Sequence, residues 1–279
     1  MMTGDDVLRY IGKKLLLGIV LIICVSFLVF SMIFMMPGDP VTLMAGELAN
    51  QDKIAETVEK YGLNRPLLVQ YFDWWKKIVT KQDFGISFKY KLPVWDLVKV
   101  RIPVSLKLTA ITMVVQYLIA VPLGLLCAYK KDSIFDKITV NLTLIMTAVP
   151  SFWIAVLLML LFAVKLKWLP LGGFESWEHY VLPITAGVLG GIASTLRLTK
   201  SEAIDALNEK YVSTAYAKGL SKHDVLIKHV LRNSMIIICV QVSQSLPWLL
   251  SGFIILEKIF VIPGMGGLMI SSIVYQDFN

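Results

Sequence analysis

Five long apolar stretches, none of which contains a charged side chain, constrain this sequence more than any other feature. A helix rises about 1.5 Å per residue and the hydrocarbon core of a bilayer is about 30 Å thick, so about 20 residues are needed to cross it. Four stretches reach that length unaided, and the fourth along the chain, with 17 residues, needs its flanks. We therefore predict an all-α integral membrane protein with five spans. The stretches are Leu15–Met36, Leu108–Tyr129, Ile138–Val164, Tyr180–Leu196 and Asn233–Leu256.

Composition supports the same class. Hydrophobic residues make up 56% of the chain, and the mean hydropathy is +0.69. All 27 basic and all 20 acidic residues lie outside the five stretches, which is the segregation that a bilayer imposes. A soluble enzyme and a disordered protein are therefore disfavoured. The net charge of +7 comes without a basic stripe carrying interleaved aromatic residues, so we predict no nucleic-acid partner.

The positive charges predict the orientation of the chain. Thirteen Lys and Arg residues lie in the N-terminal segment, the connection after the second stretch and the connection after the fourth. Three lie in the short connection after the third stretch and in the C-terminal tail. Because Lys and Arg accumulate on the cytoplasmic side, we predict a cytoplasmic N-terminus and a multi-pass protein of a prokaryotic inner membrane.

We predict three regions along the chain. Residues 1–36 form an N-terminal segment with the first span, residues 37–107 an extracytoplasmic loop, and residues 108–279 a core with a cytoplasmic loop at 197–232. Helical spacing in the extracytoplasmic loop 37–107, which we call the outer loop, predicts two amphipathic helices. These helices either cap the outer mouth of the bundle or form a docking surface. Their spaced apolar residues are Ile54, Val58 and Tyr61 in one, and Tyr71, Trp74, Trp75 and Ile78 in the other.

The loop 197–232 is far longer than a connection between two spans requires. We predict that it is a helix, one sharp turn and a second helix, which indicates a partner on the cytoplasmic face. Gly219 suits the left-handed conformation that ends a helix, and Ser221 suits the N-cap of the next one, followed by Asp224. The apolar face of the first helix is predicted from Ile204, Leu207, Tyr211 and Ala215.

Short motifs distributed from end to end identify a family. The chain resembles the inner-membrane permease subunits of ATP-binding-cassette importers, in the oligopeptide, dipeptide and nickel group. The motifs begin with Pro37-Gly-Asp-Pro40, Tyr61-Gly-Leu-Asn-Arg-Pro66 and Asp83-Phe-Gly-Ile-Ser87, continue with Val149-Pro-Ser-Phe-Trp153 and Trp168-Leu-Pro170, and end with Tyr211–Leu220, His229–Asn233 and Glu257–Gly266.

The resemblance implies the type I transmembrane domain of such importers, with a cytoplasmic coupling helix at 208–219 that docks on an ATPase. In the family this helix carries an EAA motif that is separated from a following glycine by three residues. Counted back from the glycine, the acidic position is occupied by Ser213, so the motif departs from the family pattern here. The coupling residues implied by the match are Ser213, Thr214, Ala215, Lys218, Gly219 and Leu220.

The resemblance also implies a set of partners. They are a homologous second permease, two ATP-binding subunits that hold ATP and Mg²⁺, an extracytoplasmic solute-binding protein and the lipid bilayer. The implied cargo is a peptide or nickel with its metallophore. Family members have six spans, so for a sequence ending at Asn279 we expect either a truncated chain, which we favour, or a subunit without the last helix.

The sequence lacks the residues that several kinds of chemistry require. No GxxxxGK[ST] sequence is present, so we predict that this chain is not an enzyme and has no cofactor of its own. No acidic residue lies in the five stretches, which argues against a channel or secondary carrier working alone. We predict no metal site, because His223 and His229 are six residues apart, a spacing that does not place them on one helix face. We also predict no catalytic residue. A structural membrane subunit without transport is a further alternative.

The fifth stretch carries a polar face. Gln241, Gln244 and Ser245 follow helical spacing, and such groups are costly against lipid. They either bridge neighbouring helices or line a translocation path, and the sequence does not separate these roles. Pro122, Pro150 and Pro183 predict kinks in three other stretches.

Overall fold

The fold is helical, as predicted. The computed structural model describes residues 4–35, 52, 55, 58–59, 62, 64–275 and 277. Within these residues, no sheet forms and the only β-pairing is an isolated antiparallel bridge between Ile86 and Pro93. The chain divides into two compact units, Met1–Lys99 with Met269–Asn279, and Val100–Leu268.

We number nine of the helices in chain order. Two of the connections between them are π-helical, with the wider turns that often accompany functional sites. These are Met159–Lys165 after α5, and Val225–Leu231 between the short turn Lys222–Asp224 and α8. The helices are α1 Gly4–Phe34, α2 Leu67–Lys81, α3 Val94–Tyr129, α4 Ile134–Ala148, α5 Ser151–Leu158, α6 Glu178–Leu207, α7 Lys210–Ala217, α8 Arg232–Ile259 and α9 Met265–Val274.

Four helical segments are long and apolar enough to cross a bilayer. They are Asp5–Met32, Val94–Tyr129, Glu178–Leu207 and Lys222–Pro247, and each contains all or most of one predicted stretch. A fifth span is obtained if α4 and α5, with its π-helical extension, are counted together. The predicted class, an all-α integral membrane protein with up to five spans, is confirmed.

The third stretch, Ile138–Val164, is broken far more sharply than the kink that Pro150 predicts. The chain bends by 97° between α4 and the helix that follows, at Val149 and Pro150. Pro150 lacks an N–H and has the fixed φ that suits the residue before a helix, so α5 starts at Ser151. Each half has 15 residues, about 22 Å of helix, which is too short to cross alone. Pro122 and Pro183, by contrast, lie inside uninterrupted helices.

The loop 197–232 also differs in one respect from its prediction. We expected one continuous helix up to Gly219, but the chain breaks at Asn208 and Glu209. Glu209 has extended backbone angles, and α7 begins at the next residue. The predicted apolar face therefore comes from two helices, with Ile204 and Leu207 at the end of α6. The coupling helix implied at 208–219 is the eight-residue α7.

The outer loop contains the second of its two predicted helices. Helix α2 covers the Tyr71–Ile78 pattern, and Tyr71 is almost fully buried against α1. The Tyr71 hydroxyl lies 2.7 Å from Ser26 Oγ and 2.9 Å from the carbonyl oxygen of Ile23. The first predicted helix and the Pro37–Pro40 motif fall largely or wholly outside the described residues, as does Tyr61.

Three apolar clusters hold the second unit together. One joins α3, α5, α6 and the end of α8 around Leu108, Leu182 and Phe253. A second, around Ala120 and Leu196, joins the middle of α3 and α6. The third surrounds α7, and we call it the coupling cluster; its buried members are Leu125, Ala128, Ala203, Ala206, Val212, Ala215, Val225, Leu226 and Val230.

Candidate functional site

Helix α7 is held on one side by the coupling cluster. Val212 and Ala215, three residues apart and thus on one helix face, are 2% and 4% exposed. They pack with Ala203 and Ala206 of α6 and with Leu125 of α3. An eight-residue helix is too short to be stable alone, so this apolar face is what fixes its position.

The other side of α7 is exposed. The structure divides the six predicted coupling residues accordingly: Ala215 is buried in the cluster, Leu220 is half-buried against it, and the remaining four are exposed. Tyr216, which the sequence did not single out as a site residue, adds an aromatic ring to this surface and is 40% exposed. We call these five exposed residues the coupling surface; they are Ser213, Thr214, Tyr216, Lys218 and Gly219.

Gly219 ends α7 in the predicted manner. Its φ is +81°, in the left-handed region. The Gly219 N–H donates to the Tyr216 carbonyl at 2.9 Å, and the Leu220 N–H donates to the Ala215 carbonyl at 3.2 Å. These two bonds form a Schellman motif. A Cβ at Gly219 would meet no atom within 4 Å, so the backbone angle alone selects glycine.

The next helix starts at Ser221, as predicted. The Asp224 N–H donates to Ser221 Oγ at 3.1 Å, and the Ser221 hydroxyl donates to the Asp224 carboxylate at 2.5 Å. Asp224 also pairs with Lys228 at 2.6 Å. The π-helical segment that follows places Val225 and Val230 in the coupling cluster and continues directly into α8. The coupling surface is thus joined to a long apolar helix.

The predicted polar face of α8 is not uniform. Ser245 is half-buried, donates to the Val242 carbonyl at 3.0 Å and lies 3.3 Å from the Tyr117 hydroxyl of α3. Gln244 is exposed. Gln241 is half-buried, and its Oε1 atom is buried without a hydrogen-bond partner in the described part of the chain. Ser245 therefore contacts a neighbouring helix, while the two glutamines are open to further contacts.

The fifth charge-free stretch ends at Leu256, so it gave no indication that the next residue, Glu257, is buried. Helix α8 extends beyond Leu256, so this carboxylate lies within the helix and is only 1% exposed. It accepts hydrogen bonds from the Ser105 hydroxyl and from the Gly266 N–H, the latter at 2.7 Å. Ser105 Oγ in turn accepts the Met265 N–H at 2.8 Å. The carboxylate thus stabilises the N–H groups at the start of α9 that have no partner within the helix.

The glycines of the Glu257–Gly266 motif follow from this arrangement. A Cβ at Gly264 would overlap the Glu257 carboxyl group, and a Cβ at Gly266 would overlap the backbone of Ile254. The motif itself was the available signal, because its acid and its two glycines have fixed spacing. The structure shows that they form one packed turn between α8 and α9.

A second buried carboxylate, Asp277, fixes the segment at Ser87 and Phe88. The Phe88 N–H donates to Asp277 at 2.9 Å, and the Ser87 hydroxyl donates to the same carboxylate. Within the Asp83–Ser87 motif, the Gly85 N–H donates to Asp83 Oδ1 at 2.9 Å. This motif is therefore a turn followed by a segment that Asp277 fixes.

Comparison with known proteins agrees with these features. Residues 120–279 match the family model described as "Binding-protein-dependent transport system inner membrane component". Residues 7–109 match the model of the N-terminal region of such membrane components.

Curated relatives extend over nearly the whole chain. The glutathione transport system permease protein GsiC of Salmonella paratyphi A is 37% identical over 275 residues, which is 97% of this chain and 88% of the relative. The corresponding proteins of Salmonella typhimurium and Escherichia coli K12 are 36% and 35% identical over 273 residues, with the same coverage.

These matches and the apolar helices make the chain a multi-pass protein of the inner membrane. They also confirm the transport function expected from its motifs, rather than a channel or carrier that works alone. The chain belongs to the family of binding-protein-dependent transport system inner membrane components and is a permease subunit of an ATP-binding-cassette importer.

Proposed function

We propose that this permease forms half of a translocation path for small peptides and is driven by ATPase subunits that dock on its coupling surface. The observation that carries the proposal is the two-sided character of α7. One face is buried with α3 and α6, and the other presents a hydroxyl-rich, aromatic and basic surface that no described residue covers. An ordered helix held in this way is suited to receive force from a partner.

The proposed partners complete the mechanism. Two ATP-binding subunits hold ATP and Mg²⁺ and carry out hydrolysis, a homologous permease supplies the other half of the path, and a solute-binding protein delivers cargo from outside. Closure of the ATPases moves α7. The coupling cluster passes this movement to α3 and α6, and the segment Val225–Leu231 passes it to α8, so the spans alternate between inward-facing and outward-facing states.

We propose the orientation that the distribution of Lys and Arg predicts, with the N-terminus and the coupling surface in the cytoplasm. Helix α6 has 30 residues, so its first residue lies about 45 Å from the end that adjoins α7. Single cysteines at Asn208 and Lys77, both exposed, test this orientation. With an impermeant thiol reagent on intact cells, we expect labelling at position 77 only, and labelling at position 208 only would reverse the topology.

We favour a peptide as the cargo because the curated relatives are glutathione permeases. Nickel with a metallophore is the alternative cargo of the wider group. The test uses the complete importer in proteoliposomes with tritiated glutathione as the probe. We expect ATP-dependent uptake that small peptides reduce by competition. Uptake reduced by nickel complexes and unaffected by peptides would contradict the peptide assignment.

We further propose that Gln241, Gln244 and Ser245 contribute to the path. Gln244 gives the sharper test because it is exposed. We expect Gln244→Leu to leave the yield of complex unchanged and to lower transport per complex severalfold. Ser245 also lies near the Tyr117 hydroxyl of α3, so Ser245→Ala is the comparison variant in which loss of a helix contact should lower yield and transport together. Unchanged transport per complex in Gln244→Leu would exclude a path role for that residue.

A further inference from the structure

A buried ion pair lies close to the coupling cluster. Lys200 Nζ of α6 lies 2.6 Å from Asp136 Oδ1 in the first turn of α4. Asp136 is 3% exposed, and the Lys200 side chain is 21% exposed. Both residues are adjacent to charge-free stretches, so the pair sits where a helix enters the apolar region. Ionisable groups in such positions are costly and tend to serve a function.

The same carboxylate also fixes the turn between α3 and α4. Its Oδ2 atom accepts the N–H of Asp132 at 3.0 Å, and Asp132 has a φ of +65°, which is unusual for a residue other than glycine. The Asp136 N–H donates to the N-cap Ser133 at 3.2 Å. The Asp136 side chain therefore joins the turn to helix α6, and its backbone N–H is capped by Ser133 at the start of α4.

The position of Lys200 relates this joint to the coupling surface. Ala203 and Ala206 follow it on α6 by three and six residues, and both are buried in the coupling cluster with Val212 and Ala215 of α7. Movement of α7 therefore reaches α6 within two helical turns of Lys200. Helix α4 contributes no buried residue to that cluster. It packs on α6 elsewhere through Val140, and the ion pair adds a charged contact at the end of α6 that adjoins the coupling cluster.

We propose that the Asp136–Lys200 pair is a positioning element of the transport cycle. It makes the α3–α4 turn and the bent α4–α5 segment move with α6 when the ATPases act on α7. The pair touches neither cargo nor nucleotide in this account. The inference rests on the proposed coupling role of α7, and it extends that role to a part of the permease that α7 does not contact through the cluster.

The test measures the distance across the joint in the assembled importer. Spin labels on cysteines at Lys131 in the turn and Ser201 on α6, both exposed, report that distance by pulsed electron resonance. The exposed Cys24 and Cys239 are replaced by alanine, and the buried Cys127 is kept. The distance is compared between the nucleotide-free state and the state trapped with ATP and vanadate. In the parent we expect the same distance in both states.

The neutral pair Asp136→Asn with Lys200→Gln removes the attraction without leaving one buried charge unpaired, which would favour misfolding. We expect this variant to bind ATPase subunits and hydrolyse ATP, while its label distance shifts by about 2 Å or more between the two states. Lys200→Arg keeps the charge and should behave like the parent. If the neutral variant does not assemble, Asp136→Asn alone is measured in the same way with the same expectation, because the remaining charge on Lys200 is 21% exposed and less costly to leave unpaired.

The control is the exposed pair Asp96–Lys99, which has the same chemistry and the same 2.6 Å separation. Its neutral double variant should leave the distance unchanged in both states. A neutral Asp136–Lys200 variant with a constant distance would overturn the proposal, as would a parent whose distance changes equally. Failure of the proposed coupling role is distinguishable, because a photo-reactive group at Tyr216 would then give no cross-link to the ATPase subunits, whatever the label distance does.

Discussion

The turn after α7 and the turn after α8 solve the same structural problem by different means. Each ends one helix and starts another within a few residues. At Gly219 and Ser221 the bonds are local, joining residues at most five positions apart. At Glu257 the carboxylate also receives the hydroxyl of Ser105, 152 residues away. The first turn is therefore encoded by neighbouring residues, and the second depends on the assembled helices.

This difference predicts different responses to mutation. The turn at Glu257 is buried and connected to α3, so its disruption should affect the folding of the whole unit. The turn at Gly219 is exposed, so its disruption should leave the spans intact and affect the ATPase subunits that we propose to dock there. Three variants examine the contrast, in decreasing order of their expected effect on stability.

The largest effect is expected for Glu257→Ala. The substitution leaves the Ser105 hydroxyl and the Gly266 N–H buried without their acceptor and creates a cavity. We expect a loss of about 2–5 kcal/mol of folding stability. The measurement is the yield and thermal unfolding of detergent-solubilised permease by fluorescence-detected size exclusion. Lys258→Ala, at the exposed neighbouring position, is the control, and equal stability of the two variants would contradict the role of Glu257.

A smaller effect is expected for Gly264→Ala. The added methyl group would overlap the Glu257 carboxyl group, which its hydrogen bonds hold in place. We expect destabilisation by about 1–3 kcal/mol. Gly267→Ala is the matched control, because its Cβ would meet no atom within 4 Å and alanine favours the helix. The same unfolding assay should rank Gly264→Ala below the parent and Gly267→Ala at or above it; the reverse order would contradict the packing described for this turn.

The smallest effect on stability is expected for Gly219→Val. A β-branched residue at a φ of +81° costs about 1–2 kcal/mol through contact with its own backbone, and no other atom lies within 4 Å of the added Cβ. We expect a normal yield of permease with a severalfold loss of co-purifying ATPase subunits. Gly219→Asn tolerates the left-handed conformation and should retain them. If the valine variant retains the ATPase subunits, this turn is not required for docking.

The local signals explain what the sequence predicts well. Gly219 and Ser221 were placed correctly because a left-handed helix end and an N-cap depend on one residue and its neighbours. The break at Asn208 was missed because Ile204, Leu207 and Tyr211 pack against the same cluster on either side of it. The spacing of apolar residues indicates which side chains are buried but not where a helix ends, and here the buried face continues across two helices.

Long-range contacts explain what the sequence did not predict. The charge-free stretches mark the lipid-exposed length of a helix, so they end before Glu257 and start after Asp136, although both carboxylates are buried inside helices. Their partners, Ser105 and Lys200, are far away in the chain. Pro150 was recognised as a kink, but the 97° bend depends on how the two short helices pack.

The central claim is that the exposed face of α7 is the ATPase-docking surface. A photo-reactive phenylalanine derivative at Tyr216, which is 40% exposed, tests it directly in the assembled complex. The same group at Trp177, 72% exposed and next to the far end of α6, is the control. We predict an ultraviolet-induced cross-link to an ATPase subunit from position 216 and none from position 177. Cross-links to the ATPase from position 177 alone, or none from position 216 in a complex that retains both ATPase subunits, would contradict the account.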